Sequence, residues 1–575
     1  MAGKKLKLSS SSSSCCCICH EFLKAATKNP DKIAVIHASG GAKIAREFRN
    51  SNRDSTTVSD INYDKFYGDL LETAPSSRPP VYDGDQCFTF SEILSAVDSL
   101  SYRLRRVLDD PSSIVRASTG VEQSTEDQVH YTPKIVGICM EPSAEYIVAV
   151  LSVLRCGEAF IALDPLWPTE RISSIVSFSN MNVIIRCQSS FDGNGCYELC
   201  KSHGAVDCSS CPEVFISMKE NLQQEFGSAS SAWPCESEKS RSFCYVLYTS
   251  GSTGKPKGIC GTEIGLLNRF LWMQEFYPLD GDELLLFKTS ISFIDHLQEF
   301  LGALLTTCTL VIPPFNEVKE NSFYVHDFLQ AYTINRLIAV PSLMRVILPA
   351  LDSPYNIRVQ SSLKTLVLSG EVFPISLWEM LFKLLPKTTI LNLYGSTEVL
   401  VMLAPHFQRL MNQHFMKVSG DCSYFDCKRL LSILENEALD SVPIGMPMSN
   451  CDLVLVGEDS PMQGEIYVGG LCIAKGYYCD VSALSQEFVK SPSSSTGCFV
   501  SDLKCQYYFR TGDFARLLHS GDLVFMGRKD RTLKINGQRI ALEEVESTLL
   551  GYPGVVDAAV VSVEVKEKLH FWRLI

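Results

Sequence analysis

The sequence predicts an α/β fold with a mainly parallel sheet, and three observations carry that prediction. Between Phe88 and Pro165, apolar segments alternate between strand-like and helix-like. Ile135-Val136-Gly137-Ile138-Cys139 predicts a strand, Ala144 to Arg155 a helix, and Ala159-Phe160-Ile161-Ala162-Leu163 the next strand. A strand–helix–strand order is a crossover connection, which makes the two strands parallel neighbours. The pattern then resumes at Tyr245-Val246-Leu247, Thr309-Leu310-Val311-Ile312, Leu366-Val367-Leu368 and Ile390-Leu391-Asn392-Leu393. No internal repeat interrupts it.

Composition bounds the function. The 575 residues include 52 Lys+Arg and 65 Asp+Glu, for a net charge of −13. At about 100–200 residues per domain, this length fits three or four domain-sized units, or one large core plus a small one. Hydrophobic residues at 46% and charged residues at 20% exclude disorder of the whole chain. The acidic balance, without a long Lys/Arg run, excludes a polybasic nucleic-acid binder. The 23 cysteines are odd in number and scattered through apolar stretches, as at Cys139, Cys156, Cys244, Cys308 and Cys472. Buried reduced thiols and a cytoplasmic protein are therefore expected. No stable membrane span is expected: the best candidate, Phe300 to Phe315, is short and runs into Pro313-Pro314.

The first 20 residues are basic and Ser/Cys-rich, and contain no acid before Glu21. They read as a disordered tail or, alternatively, as a transit peptide for a plastid or mitochondrion. Folded sequence is expected from Glu21-Phe22-Leu23. Insertions are expected near 40–80, 191–233 and 400–418. The last, Leu400 to Val418, contains no acid and reads either as translated non-coding sequence or as a genuine loop. In the second, Cys196, Cys200, Cys208 and Cys211 surround His203. They form either a tetrahedral zinc site in an interaction protein or a cysteine-rich loop.

The segment carrying most chemistry follows the strand at Tyr245–Leu247. It reads Tyr248-Thr249-Ser250-Gly251-Ser252-Thr253-Gly254-Lys255-Pro256-Lys257-Gly258. Glycines let backbone N–H groups turn inward around an anion, the hydroxyls add donors, and the lysines add charge. It is not a Walker A loop, because Thr249 stands at the first Gly position and Pro256 at the Ser/Thr position. The full pattern resembles the phosphate-binding signature of the adenylate-forming superfamily, which includes acyl-CoA synthetases, non-ribosomal peptide adenylation domains and luciferases.

Further motifs resemble that family in order: Phe88 to Leu94, Leu154 to Pro165, Asn392 to Glu398, Gly464 to Gly470, Lys475 to Tyr478, Phe509 to Asp513, Gly527 to Asp530 and Lys534 to Ile540. The resemblance covers about Glu21 to Val561. It implies a large multi-sheet adenylate-forming domain over 21–529 and a truncated α+β C-terminal subdomain over 530–575. It also implies the reaction. A carboxylate attacks the α-phosphate of ATP, giving acyl-AMP and pyrophosphate, and a thiol then takes the acyl group. Two oxyanions must meet, so Mg²⁺ and preorganised donors are needed.

The resemblance also implies roles for matching residues. Thr249, Ser250, Gly251, Ser252, Thr253, Gly254 and Lys257 would cradle the phosphates. Tyr394, with Gly395 and Ser396, would lie on adenine, and Thr397 would contact the α-phosphate. Glu398 would bind Mg²⁺, where a hard cation takes carboxylate oxygen. Asp513 would accept both ribose hydroxyls, and Arg528 would reach ribose or phosphate. Asp530 matches the hinge at which the small domain swings. Lys534 lies on the face used for thioester formation with CoA or a carrier-protein phosphopantetheine.

Relatives that activate α-amino acids hold the substrate ammonium with an Asp directly after Phe. Here Ile294 follows Phe293, and Asp295 comes one residue later. With Ser369-Gly370-Glu371, this is most similar to the β-alanine-activating, aminoadipate-semialdehyde-dehydrogenase-type branch and to plant acyl-activating enzymes. The implied substrate is β-alanine or another small acid, in a pocket of Phe293, Asp295, Val367, Ser369 and Leu393. Asp295 as a simple helix N-cap is the alternative. Only 45 residues follow Asp530, and the family's late Gly-Lys motif is absent from them. A catalytically impaired pseudoenzyme that binds nucleotide or acyl-AMP is therefore the alternative function.

Overall fold

The computed structural model describes residues 17–38, 79–110, 132–187, 211–218, 241–249, 257–352, 357–395, 421–457, 462–470, 476–478, 488–490, 497–499, 505, 507–528 and short segments beyond. Two mainly parallel sheets and one antiparallel sheet organise these residues.

The first sheet has seven strands. Its centre is the predicted unit: Ile135–Cys139 lies between Ala159–Leu163 and Val183–Cys187, parallel to both. All five residues of each of the first two strands are buried, as strands covered on both faces require. The crossover helix Ala144–Arg155 is buried along its whole length. Tyr245–Thr249 extends the sheet in parallel, and Lys257–Gly261 returns antiparallel beside it. The hairpin that carries the phosphate-loop motif thus lies on one side of the predicted sheet, with Gly476–Tyr477 antiparallel beyond Lys257–Gly261.

The strands expected at Thr309, Leu366 and Ile390 belong to a second sheet of nine strands. Its parallel interior runs through Thr389–Gly395, Thr365–Leu368, Arg336–Ala339, Leu284–Leu286, Thr309–Ile312 and Ile33–His37. Asp421–Asp426 closes one side antiparallel to Thr389–Gly395. The third sheet is antiparallel, with Gln463–Gly470 between Cys451–Val456 and Tyr507–Leu517, and Leu523–Arg528 beyond the latter. A hairpin of Thr532–Ile535 and Gln538–Ala541 follows.

Two sequence expectations need correction. The first helix runs Ile18–Lys28, so order begins three residues before Glu21. The Cys17 thiol accepts the His20 N–H at 3.3 Å, and Cys17, Ile18, Cys19 and Phe22 are buried. Polar Glu21 is the first-turn acid of this helix, not its beginning. The stretch 191–233 also contains ordered structure. Glu213–Ile216 is a strand parallel to Val183–Cys187, with Val214 and Ile216 buried. Its four residues are too few for periodicity to stand out from the Cys/Ser-rich background.

Cys196, Cys200, His203 and Cys208 lie outside the described residues, as do 40–78 and 400–418. The Cys211 thiol donates to the Met181 carbonyl at 3.5 Å. The cysteines whose side chains are described are free thiols, most of them buried. Among the described residues, no helix is long and apolar enough to cross a membrane.

The early motif Phe88 to Leu94 is a helix start. Thr89 Oγ1 accepts the Glu92 N–H at 3.2 Å, and Glu92 Oε2 accepts the Thr89 N–H at 2.7 Å. This reciprocal capping box starts helix Phe90–Leu108. Its apolar face packs in the same core as the crossover helix and the N-terminal helix.

Candidate functional site

The phosphate-loop hairpin is defined at its two ends. Thr249 and Lys257 are cross-strand partners, while 250–256 lie outside the described residues. Gly258 is required by packing: a Cβ there would stand 2.9 Å from the Tyr248 ring.

Three distant motifs meet at Asp513. Tyr394 ends a strand of the nine-stranded sheet, at a register shift between Tyr394 and Gly395. Asp513 and Arg528 are cross-strand partners in the antiparallel sheet. The Tyr394 hydroxyl donates to Asp513 Oδ2 at 2.5 Å, and Arg528 Nη1 donates to Asp513 Oδ1 at 2.5 Å. Asp513 is only 4% exposed. Burial first, and then the Asp513 carboxylate, hold the Tyr394 phenol well above its ordinary range, so it stays a donor. The sequence expectation for Tyr394 is an aromatic face for adenine. Its hydroxyl is also a fixed partner of Asp513.

A second layer, to which sequence reasoning gives no role, holds Asp513 in place. Glu465 accepts two bonds from Arg510, at 3.3 and 2.8 Å, and the Gly512 N–H at 3.3 Å. The hydrogen bonds to Glu465 are the main reason the Arg510 guanidinium is held above its ordinary range. Thr511 Oγ1 donates to the Ile466 carbonyl at 2.8 Å and accepts the Asp513 N–H at 3.0 Å. The motifs Gly464–Gly470 and Phe509–Asp513 are thus two halves of one brace. Their shared strand-like pattern is the available signal, but pairing between them is long-range.

Gly512 has φ +71°, a left-handed conformation. Gly512→Ala is expected to cost about 1–2 kcal/mol of stability. Urea unfolding checks this, and an unchanged midpoint would contradict it.

Asp295 and Ser369 come together from two elements, with Phe293 two residues before Asp295. Asp295 is the first residue of helix Asp295–Leu304; the N-cap is Ile294, which makes no side-chain cap bond. The N-cap alternative for Asp295 is therefore corrected: the boundary falls one residue earlier than a capping Asp needs. Ser369 Oγ donates to Asp295 Oδ2 at 3.1 Å, and Arg269 Nη1 lies 3.7 Å from Oδ1. Arg269 also pairs with Asp421. Val367 and Leu393 are fully buried in the core cluster that contains Tyr394. Glu371 bonds to the start of helix Pro341–Leu351. It accepts the Ser342 N–H at 2.9 Å and hydroxyl at 3.0 Å.

Two buried groups fix the loop ahead of Asp295. Glu299 accepts the Lys288 and Thr289 N–H groups at 3.1 and 2.9 Å, and the Thr289 hydroxyl at 2.6 Å. His296 Nδ1 lies 2.5 Å from the Phe293 carbonyl, so Nδ1 carries the proton and Nε2 accepts from the Tyr146 hydroxyl at 2.8 Å. Burial lowers the His296 pKa from 6.5 to about 4.

A His whose folded pKa is depressed stabilises least in acid. Above pH 6.5 it is neutral in both states, and as pH falls towards 4 the unfolded chain takes up a proton that the folded one refuses. His296 is therefore expected to remove about 3 kcal/mol of stability over that range. Denaturant midpoints of wild type and His296→Gln across pH 4–7 check this; parallel profiles would contradict it.

Ser250, Gly251, Ser252, Thr253, Gly254, Ser396, Thr397, Glu398 and Asp530 lie outside the described residues. Lys534 is placed by backbone register alone, opposite Arg539.

Comparison with known proteins gives this arrangement a context. The chain is 31% identical over 441 residues to the β-alanyl-bioamine non-ribosomal peptide synthetase ebony of Drosophila melanogaster, covering 74% of this chain and 45% of that protein. It is 28% identical over 438 residues to the vanchrobactin synthetase VabF of Vibrio anguillarum, covering 74% and 14%. The chain thus spans less than half the length of these curated relatives. Among solved structures, the Vibrio cholerae adenylation domain AlmE, in complex with glycyl-adenosine-5′-phosphate, matches with a TM-score of 0.64 at 17% identity, over 97% of this chain and 88% of that one. An artificially fused adenylation–PCP di-domain, NpsA-ThdA from Klebsiella oxytoca, matches with a TM-score of 0.64 at 18% identity, over 96% and 86%. These two show a shared fold. Residues 130–478 match the family described as AMP-binding enzyme, which includes the phosphate-loop hairpin and Tyr394. With more than half of its length inside that match, the chain belongs to the adenylate-forming, AMP-binding enzyme family.

Proposed function

We propose that this chain is an ATP-dependent acid–thiol ligase that activates a small carboxylic acid as acyl-AMP and passes the acyl group to a thiol of CoA or a carrier-protein phosphopantetheine. The observation that carries this reading is the convergence of Tyr394, Asp513 and Arg528 from two sheets. A carboxylate has about four lone-pair positions, so Asp513 can keep both internal bonds and still accept two ribose hydroxyls. Arg528 adds a fixed charge at the same place. Thr249, Ser250, Ser252, Thr253 and Lys257 cradle the phosphates, with Gly251 and Gly254 allowing close backbone approach. Thr397 meets the α-phosphate, and Glu398 holds Mg²⁺, which when bound offsets the repulsion between the attacking carboxylate and the phosphates. Asp530 is the hinge, and Lys534 lies on the face used in the thiol step.

The acid lies against Phe293, Asp295 and Ser369. An amino acid such as β-alanine would bring its ammonium to Asp295, a carboxylate that already faces Arg269. In this reading, Asp295→Ala lowers acid-dependent exchange at least tenfold, and full activity with β-alanine would remove Asp295 from the pocket.

Pyrophosphate exchange into ATP, screened over short carboxylic acids, tests the function. Acid-dependent exchange supports the ligase. Saturable ATP binding with no exchange for any acid supports a nucleotide-binding pseudoenzyme instead.

A further inference from the structure

Behind the candidate acid pocket lies a cavity of about 30 Å³, lined among others by Arg269, Arg336, Gln298, Met273 and Ile338. Two of its lining residues, Gln298 and Arg269, tie it to Asp295. Gln298 is three residues along the helix from Asp295, on the same face. Arg269 lies 3.7 Å from the Asp295 carboxylate. Met273 and Ile338 pack in one core cluster with Val367 and Leu393.

The polar lining is under-used. Arg269 is 3% exposed and Arg336 is 7% exposed, yet among the described residues Arg269 Nη2 and Arg336 Nε have no hydrogen-bond partner. The Gln298 side chain, buried as well, makes no hydrogen bond among the described residues. Arg269 has carboxylates beside it, Asp421 and Asp295. Arg336 donates to the Tyr277 carbonyl, and among the described residues it forms no ion pair. Burial depresses the Arg336 pKa to about 10, partly offset by Cys308 and Glu283 and reinforced by the Arg269 charge. Buried donors without acceptors are costly, and two residues that carry such donors line this one space, which makes it the place for an acceptor.

We propose that this cavity receives the far end of the acid substrate, and that this end carries oxygen acceptors, as in a second carboxylate. The proposal rests on the acid-activating reading above and names its substrate class. This selects a dicarboxylate over the β-alanine option above: an ammonium end would face two guanidinium groups, and an alkyl end would leave both orphaned N–H groups unsatisfied. A carboxylate or carbonyl oxygen satisfies them and accepts from the Gln298 amide. The volume admits such a group, since one water needs about 10–15 Å³.

The test uses the full chain in two independent assays. The first is pyrophosphate exchange with succinate and glutarate against butyrate, valerate and β-alanine. The second is the unfolding temperature with added glutarate, valerate or formate. We expect kcat/KM for the dicarboxylates to exceed that for the matched monocarboxylates at least tenfold. Arg336→Met should abolish that ratio, and Arg336→Lys should recover only part of it. Glutarate should raise the unfolding temperature of wild type and not of Arg336→Met; if that variant does not fold, Gln298→Leu takes its place. Preference for valerate or β-alanine overturns the subsite and leaves the ligase intact. An equal rise with formate and glutarate makes it a site for any small anion and overturns the substrate class. Glutarate stabilisation lost in Arg336→Met, without exchange for any acid, supports the subsite and overturns the ligase. Neither exchange nor stabilisation overturns both.

Discussion

Asp513→Asn is expected to lower acid-dependent pyrophosphate exchange about a hundredfold, mainly through weaker ATP binding. The substitution keeps size and shape but replaces a charged acceptor with a neutral amide. Three interactions weaken at once: the bond from Tyr394, the bond from Arg528 and the proposed bonds to the ribose hydroxyls. Hydrogen bonds to charged groups contribute about 1.5–3 kcal/mol each, so losing the ribose bonds alone reaches a hundredfold. Arg528 also loses its ion pair with Asp513 in a nearly closed site. Calorimetric titration with ATP separates binding from turnover. An affinity within threefold of wild type would remove Asp513 from the nucleotide site and leave it as a strut between the two sheets.

The second large effect concerns stability, far from this carboxylate. Glu263→Ala is expected to destabilise the protein by about 3–5 kcal/mol. Glu263 and Arg241 are a fully buried ion pair. Arg241 also donates to the Leu154 and Glu158 carbonyls, at 3.0 and 2.9 Å. Glu263 Oε1 accepts the Ile18 N–H at 2.6 Å. One carboxylate therefore docks the start of the N-terminal helix onto the helix that follows the phosphate-loop hairpin. Removing it takes the carboxylate from a buried guanidinium and leaves the Ile18 N–H without this acceptor. Urea unfolding measures the loss, and hydrogen exchange should show helix 18–28 opening first. A loss below 1 kcal/mol would mean that Arg241 is satisfied without Glu263. Glu263→Gln, which keeps an acceptor for Ile18, should cost less.

Much of the architecture is legible in short apolar runs. Ile135–Cys139, Ala144–Arg155 and Ala159–Leu163 occur as expected because burial on both faces demands uninterrupted apolar sequence, and such a run is visible locally. The division of later strands between two parallel sheets is not legible. Tyr245–Thr249 and Thr309–Ile312 read alike, and only packing sends them to different sheets. The start of helix Ile18–Lys28 is hidden because a capping Cys17 gives a weak signal beside a polar tail.

For the candidate site, the sequence by itself determined the identity and order of the motifs: the phosphate loop from Tyr248 to Gly258, the element with Tyr394, and the Thr-Gly-Asp motif followed by Arg528. Glycines, hydroxyls and charges in fixed local spacing leave a trace that needs no partner to be read. Only the tertiary structure decided which of them touch. Tyr394 and Asp513 are 119 residues apart, Arg241 answers Glu263, and Glu465 braces Gly512 from another strand. It also decided that Asp295 faces Arg269 and Ser369, and that Arg269 and Arg336 line one cavity. The physical reason is that burying a charge requires a partner, and the partner is chosen by packing across the chain, at separations where spacing in the sequence carries no information.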